Sequence, residues 1–147
     1  MSRRILFSLW NPGQMHEMAL PPCHIMYLWY VEEKNNQKIL NAQLVMRSND
    51  FFLAGCYNNI TIAILTMILA KKCGMEPGEI VHTCNDTHIY KNHIDQMKLQ
   101  LTREPRPLPK LHIDNNVIKK DWDQITYEDF ELVGYMPHPF IKAEMAV

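Results

Sequence analysis

"IMYLWYVEEKNNQKILNAQLVMRS", residues 25–48, holds two apolar runs on either side of a polar turn. Residues 25–33, IMYLWYVEE, are rich in Ile, Tyr, Trp and Val, which suit a pleated, half-buried surface. KNNQ then leads into KILNAQLVMRS, and strand, turn and strand in that order predict an antiparallel hairpin. Working outward, RILFSLW (4–10) is a further strand candidate. Over 57–72 the period changes, with Ile60, Ala63, Ile64, Met67, Ile68 and Lys71 at helical spacing and Gly74 as the stop. EIVHTCNDTHIY (79–90) predicts another strand, and KNHIDQMKLQLTRE (91–104) a helix with Ile94, Met97 and Leu101 on one stripe. PRPLPK must be extended because proline restricts the residue before it. LHID and FELVGY are short strands. A hairpin with mixed strands and helices, and no regular βαβ alternation, predicts an α+β fold.

The chain has 147 residues, 47% of them apolar, and a formal net charge of −1. That composition suits a single soluble domain over 1–147 and gives no basic stripe for nucleic acid. The longest apolar run, Ile60 to Ala70, is broken by Thr61 and Thr66 and is shorter than the ~20 residues of a membrane span. The amino terminus lacks the apolar stretch and cleavage site of a secretory signal. Cys23, Cys56, Cys73 and Cys84 form no C-x-x-C pair. They are expected as free thiols in a reducing, cytoplasmic compartment, with Cys73 a small buried or half-buried hydrophobe.

Cys23 stands out because it follows two prolines and opens the first strand of the hairpin, a rigid place to present a thiol. A buried inert thiol is the plainer reading, whereas a neighbouring His or Arg would make a nucleophile. His24 is adjacent, but consecutive strand residues point to opposite faces, so it need not be the activator. Arg47-Ser48-Asn49-Asp50 could hold a phosphate or be a solvated turn. Asn85, Asp86, His88, Tyr90 and His93 are dense in hydrogen-bonding groups, and no spacing among them matches a zinc pattern.

Taken in order, SRR, W-N-P, MALPPCH, RSND, Asn58, ND-THIY-NH, REPRP-P-KL and GY-PHP-IK-EMAV resemble thymidylate synthase from Ser2 to Val147. The resemblance implies that family's mixed sheet flanked by helices, dimerising through the sheet. It implies reductive methylation of dUMP to dTMP with 5,10-methylenetetrahydrofolate as cosubstrate and no metal. Cys23 would add to C6 of the pyrimidine. Arg47 and Ser48 match the phosphate ligands, with Arg47 also placed to stabilise the thiolate, and Arg3 and Arg4 match a pair contributed across a homodimer interface. Asn58 matches the amide on the pyrimidine edge, where related dCMP hydroxymethylases use aspartate. His88 and Tyr90 match the ligands of the deoxyribose 3′-hydroxyl, with Tyr90 also a candidate for proton transfer at C5. Asp50 matches a catalytic-network carboxylate that reaches the folate pterin, and Ala146-Val147 the tail that closes over folate.

The resemblance covers about the carboxyl-terminal half of the family's usual chain. It therefore implies an amino-terminal half with an arginine loop, a glutamate and tryptophans, carried elsewhere or by a complementing piece. Val45, Met46, Ala54, Cys56 and Asn85 depart from the family pattern; Met46 replaces a glutamine and cannot make its amide hydrogen bonds. Slower chemistry or altered folate contacts are the expectation there, checked by Met46→Gln. A nucleotide hydroxymethylase of the same fold, or a non-catalytic paralogue that pairs with a full-length synthase, are the alternatives.

Overall fold

Burial alternates along the two strands of the predicted hairpin, and that alternation builds the core. In the computed structural model, which describes residues 2–145, β1 (Leu6–Ser8), β2 (His24–Lys34), β3 (Gln37–Asp50) and β4 (Glu76–His88) form one sheet in that order. β2 and β3 pair antiparallel out to Lys34↔Gln37. The turn residues Asn35 and Asn36 take φ of 51° and 60°, the left-handed pair that matches a tight hairpin to the twist of its strands. β3 and β4 run parallel. Parallel neighbours need a crossover, and the helix α1 (Gly55–Lys72) supplies it. The fold is mixed α+β, as the sequence predicts.

Tyr27, Trp29 and Val31 on β2 and Leu40, Ala42, Leu44 and Met46 on β3 point to one face, where they pack with Ile62 and Ala70 of α1. Periodicity alone predicts Ile60, Ala63, Ile64, Met67, Ile68 and Lys71 as the packing stripe of that helix. The structure instead buries Ile62, Thr66 and Ala70 along with Ile68, and leaves Ile60 52% exposed. The helix is apolar nearly all the way round, so its pattern selects no face. The sheet selects one: the buried Trp29 Nε1–H donates to Thr66 Oγ1 at 3.1 Å. Phe7 of β1 stacks on Tyr27, with ring centroids 4.8 Å apart.

Gly74, at φ 63°, follows the end of α1, in the conformation that glycine adopts without a Cβ penalty. Cys73 beside it is exposed, as is Cys56, and the cysteines are all free. The buried or half-buried Cys73 expected from sequence is therefore corrected: it caps the carboxyl end of α1 and is exposed.

Contacts divide the chain into two compact units, Met1–Ile89 and Tyr90–Val147. In the second, α2 (Ile94–Leu101) precedes an antiparallel pair, β5 (Lys110–Ile113) and β6 (Phe130–Val133), in register Ile113↔Phe130. Its interior holds Ile113, Val117, His93 and Asp129. The stripe predicted for α2 is not a packing face, since Ile94 and Leu101 are 44% and 79% exposed. His93, one position before the helix, takes the buried place instead. Among the described residues no helix is long and apolar enough to cross a membrane.

Candidate active site

Cys23 lies just ahead of β2, half-buried and packed against the core. A Pro-Pro turn has no backbone N–H of its own to tie it down, and Arg47 supplies the missing donors from β3. Its Nε donates to the Pro22 carbonyl at 3.1 Å and its Nη2 to the Pro21 carbonyl at 2.7 Å. The Arg47 backbone N–H donates to the Cys23 carbonyl at 2.9 Å. One arginine thus clamps three consecutive carbonyls and fixes where the Cys23 side chain leaves the chain. A guanidinium carries five N–H donors, so donors remain for an anion beside this turn.

His24 starts a directional relay. Its Nε2–H donates to Asn58 Oδ1 at 2.8 Å, which leaves Nδ1 bare to accept from the Tyr27 hydroxyl. Burial pushes the Tyr27 phenol above its ordinary range, so it stays protonated and donates. Asn58 Nδ2 then donates to Asn49 Oδ1 at 2.8 Å, and Asn49 is only 4% exposed. The β2 entry is irregular between His24 and Met26, and this bulge aims the His24 ring at α1. The relay fixes which end of the Asn58 amide is oxygen and which is nitrogen. One lone pair and one N–H of that amide stay available, the complement of a ring that presents both a donor and an acceptor.

Further candidates gather at the carboxyl ends of the parallel pair, where open α/β sheets bind ligands. Ser48 is opposite Asp86 and Asp50 opposite His88 in the β3–β4 register. Asp50 Oδ1 accepts the Leu53 N–H at 3.1 Å, while the Phe51 N–H donates to the His88 carbonyl at 2.9 Å. The segment leading into α1 is thereby held, and Asn58 with it in the first helical turn. His88 Nδ1 lies 3.3 Å from Asp86 Oδ1. The motif order read from sequence and this cysteine turn agree with a match across the whole chain: a family model described as Thymidylate synthase covers residues 1–147.

The chain belongs to the thymidylate synthase family. Membership makes it one of a family of methyltransferases in nucleotide biosynthesis, acting on dUMP and using methylenetetrahydrofolate. Asp50 Oδ1 is committed to the Leu53 N–H, and a carboxylate's second oxygen keeps acceptor capacity for an N–H donor. Ala146 and Val147, the expected folate tail, lie outside the described residues. Arg3 and Arg4 are exposed on the segment before β1, Arg3 lining a groove with Leu28, Tyr30 and Gln43. Tyr90 opens the second unit, its ring edge-on to His93 at 6.0 Å.

Sequence reasoning missed His24 as an orienting group, because alternation argued that it faces away from Cys23. It does not need to face Cys23: its partner is Asn58. Also missed was His82, whose Nδ1 lies 2.7 Å from Asn59 Oδ1. Burial, then the repulsion that His24 exerts whenever it takes up a second proton, push His82 below the ordinary imidazole range. No spacing along the chain could have revealed that contact, which joins β4 to α1.

Proposed function

We propose that this member of the thymidylate synthase family converts dUMP to dTMP, with Cys23 as the nucleophile at C6 of the pyrimidine. The observation that supports this best is the Cys23 turn, clamped by Arg47, beside an Asn58 amide whose orientation is set by His24 and Asn49. Sulfur adds to C6, the C5–C6 π electrons move toward C4–O4, and C5 becomes the nucleophilic carbon. Asn58 meets O4 with its remaining N–H and N3–H with its remaining lone pair. Arg47 and Ser48 hold the phosphate, and His88 and Tyr90 carry over from the family as deoxyribose ligands. Tyr90 also belongs to the proton-transfer network at C5, and Asp50 to the polar network at the pterin. Bound folate supplies the one-carbon unit and the returning hydride.

A homodimer is part of this reading. The sheet face turned away from α1 carries Tyr30 and Val81, 55% and 54% exposed, and Arg3 borders it. Pairing two copies there would let Arg3 and Arg4 of one serve the phosphate of the other. The free thiols suit a reducing cytoplasm. A complementing amino-terminal half belongs to the same proposal.

Intact mass after incubation with 5-fluoro-dUMP and methylenetetrahydrofolate tests it. Fluorine blocks loss from C5, so a working site traps itself, and the expected result is a gain of nucleotide plus folate that Cys23→Ser abolishes. No adduct on a folded, dimeric sample would show that these residues carry the nucleophile without building a working site, the outcome expected of the non-catalytic pairing paralogue.

A further inference from the structure

The β3–β4 register sets Met46 opposite Cys84 and Leu44 opposite His82. His82 and Cys84, two positions apart on one strand, point to the same face, and Asn59 of α1 meets that face. Asn59 Oδ1 accepts the His82 Nδ1–H at 2.7 Å, which leaves Nε2 without a proton. Bare Nε2 faces Cys84 Sγ at 2.9 Å and Met46 Sδ at 3.0 Å. A thioether has no proton, and the Cys84 S–H can point at one acceptor only. Three lone-pair donors therefore converge around a single proton.

We propose that Met46, His82 and Cys84 form a binding site for Cu(I), with Asn59 orienting the imidazole from outside. Thiolate, thioether and imidazole are the soft donor set that selects this ion over Mg²⁺ or Ca²⁺. Zinc sites draw four ligands from Cys, His and carboxylates, and among the described residues no group of three or more such side chains converges. Charge favours the monovalent ion as well. Cys84 gives up its thiol proton to solvent on binding, so one thiolate and one Cu⁺ make a neutral pair. A divalent ion would leave a net charge beside Leu44 and Met46, which are 0% and 2% exposed, where an uncompensated charge is costly. Asn59 supplies the outer hydrogen bond that fixes the tautomer of a metal-bound histidine. An open groove of ≈ 490 Å³ lined by Asn59, Ile60, Ala63, Ile80 and His82 gives an entry path. With bonds of the length that zinc makes, about 2.0 Å to nitrogen and 2.3 Å to sulfur, a metal set among these donors requires them to draw apart on loading. His82 and Cys84 are only half-buried, so they have room to do so. The site includes Met46, the residue that stands where the family carries glutamine.

The test is anaerobic Cu(I) titration of the full chain against a competing chelator, with Cys56→Ser and Cys73→Ser in the background because those exposed thiols bind copper adventitiously. The expected result is one Cu(I) per chain, with an X-ray absorption spectrum showing one nitrogen and two sulfur neighbours. Cys23→Ser leaves the affinity unchanged. Asn59→Ala, at an exposed position, weakens it about 10–100-fold, and Met46→Leu at least as much with an unchanged circular dichroism spectrum. Equal affinity in parent, Met46→Leu and Cys84→Ser, or a spectrum with sulfur neighbours alone, would overturn the proposal and mean adventitious thiol binding only. If Met46→Leu does not fold, the spectrum of the parent chain and the Asn59→Ala affinity decide.

Discussion

Asn58 has four hydrogen-bonding positions, and two of them are taken by His24 and Asn49. This is why its amide cannot turn over, and why a change of one atom there has a predictable sign. Asn58→Asp puts a carboxylate oxygen 2.8 Å from Asn49 Oδ1, where Nδ2 now donates, so two acceptors face each other and Asn49 loses its partner in a buried place. The variant is expected to lose about 1–3 kcal/mol in urea denaturation. It should also favour cytidylate over uridylate in a binding comparison of the two nucleotides, since the pyrimidine edge would meet an acceptor instead of an N–H. Cys23, Arg47, Ser48 and Asn58 were legible as candidates because residue type and motif carry the chemistry. Their partners were not: nothing in the sequence says that Arg47 holds the carbonyls of Pro21 and Pro22, or that His24 serves Asn58.

Two element-scale features position this site. Trp29 on β2 and Thr66 on α1 share a buried hydrogen bond, which selects the face that the helix presents. Thr66→Val keeps the shape and orphans the indole N–H, so a loss of about 1–3 kcal/mol in chemical denaturation is expected. Adding Trp29→Phe should cost less than the sum of the two single changes, since both partners are then gone. The second feature is the close approach of β3 and β4 at Gly78. A Cβ there would lie 2.2 Å from Asn41 Oδ1 and 2.6 Å from Ile39 Cγ2, at the register irregularity between Leu40 and Ala42. Asn41 Oδ1 already accepts the Glu79 N–H at 2.8 Å. Gly78→Ala must push the strands apart, at about 1–3 kcal/mol by thermal denaturation. Strand positions could be read from composition and the hairpin from its Asn-Asn turn. The helix face could not, because a helix with apolar residues on every side has no preferred one.

At the scale of the whole molecule the two units have different anchors, and acid distinguishes them. The second unit depends on Asp129, which accepts from Lys120 Nζ at 2.6 Å and from the Thr126 N–H at 2.9 Å. The Lys120 hydrogen bond, then that of Thr126, hold its carboxyl below the usual carboxylate range. Since the folded value lies below the unfolded one, the unfolded chain takes up the proton first as pH falls. The stability this group adds is complete above the unfolded carboxylate range and lost as pH drops through the depressed folded value. Hydrogen exchange followed from pH 6 downward should therefore show protection in β5 and β6 falling first in the acid range, and Asp129→Asn should remove that step. By itself the sequence determined the family, the mixed α+β class, the strands of the hairpin and the identity of the cysteine candidate, because these follow from residue type, local turn chemistry and motif order. Only the tertiary structure decided which face α1 buries, how the Asn58 amide is oriented, and that Met46, His82 and Cys84 meet. Those contacts depend on strand register and helix rotation, where a slip of one residue sends every side chain to the other face, and no pattern along a chain records them.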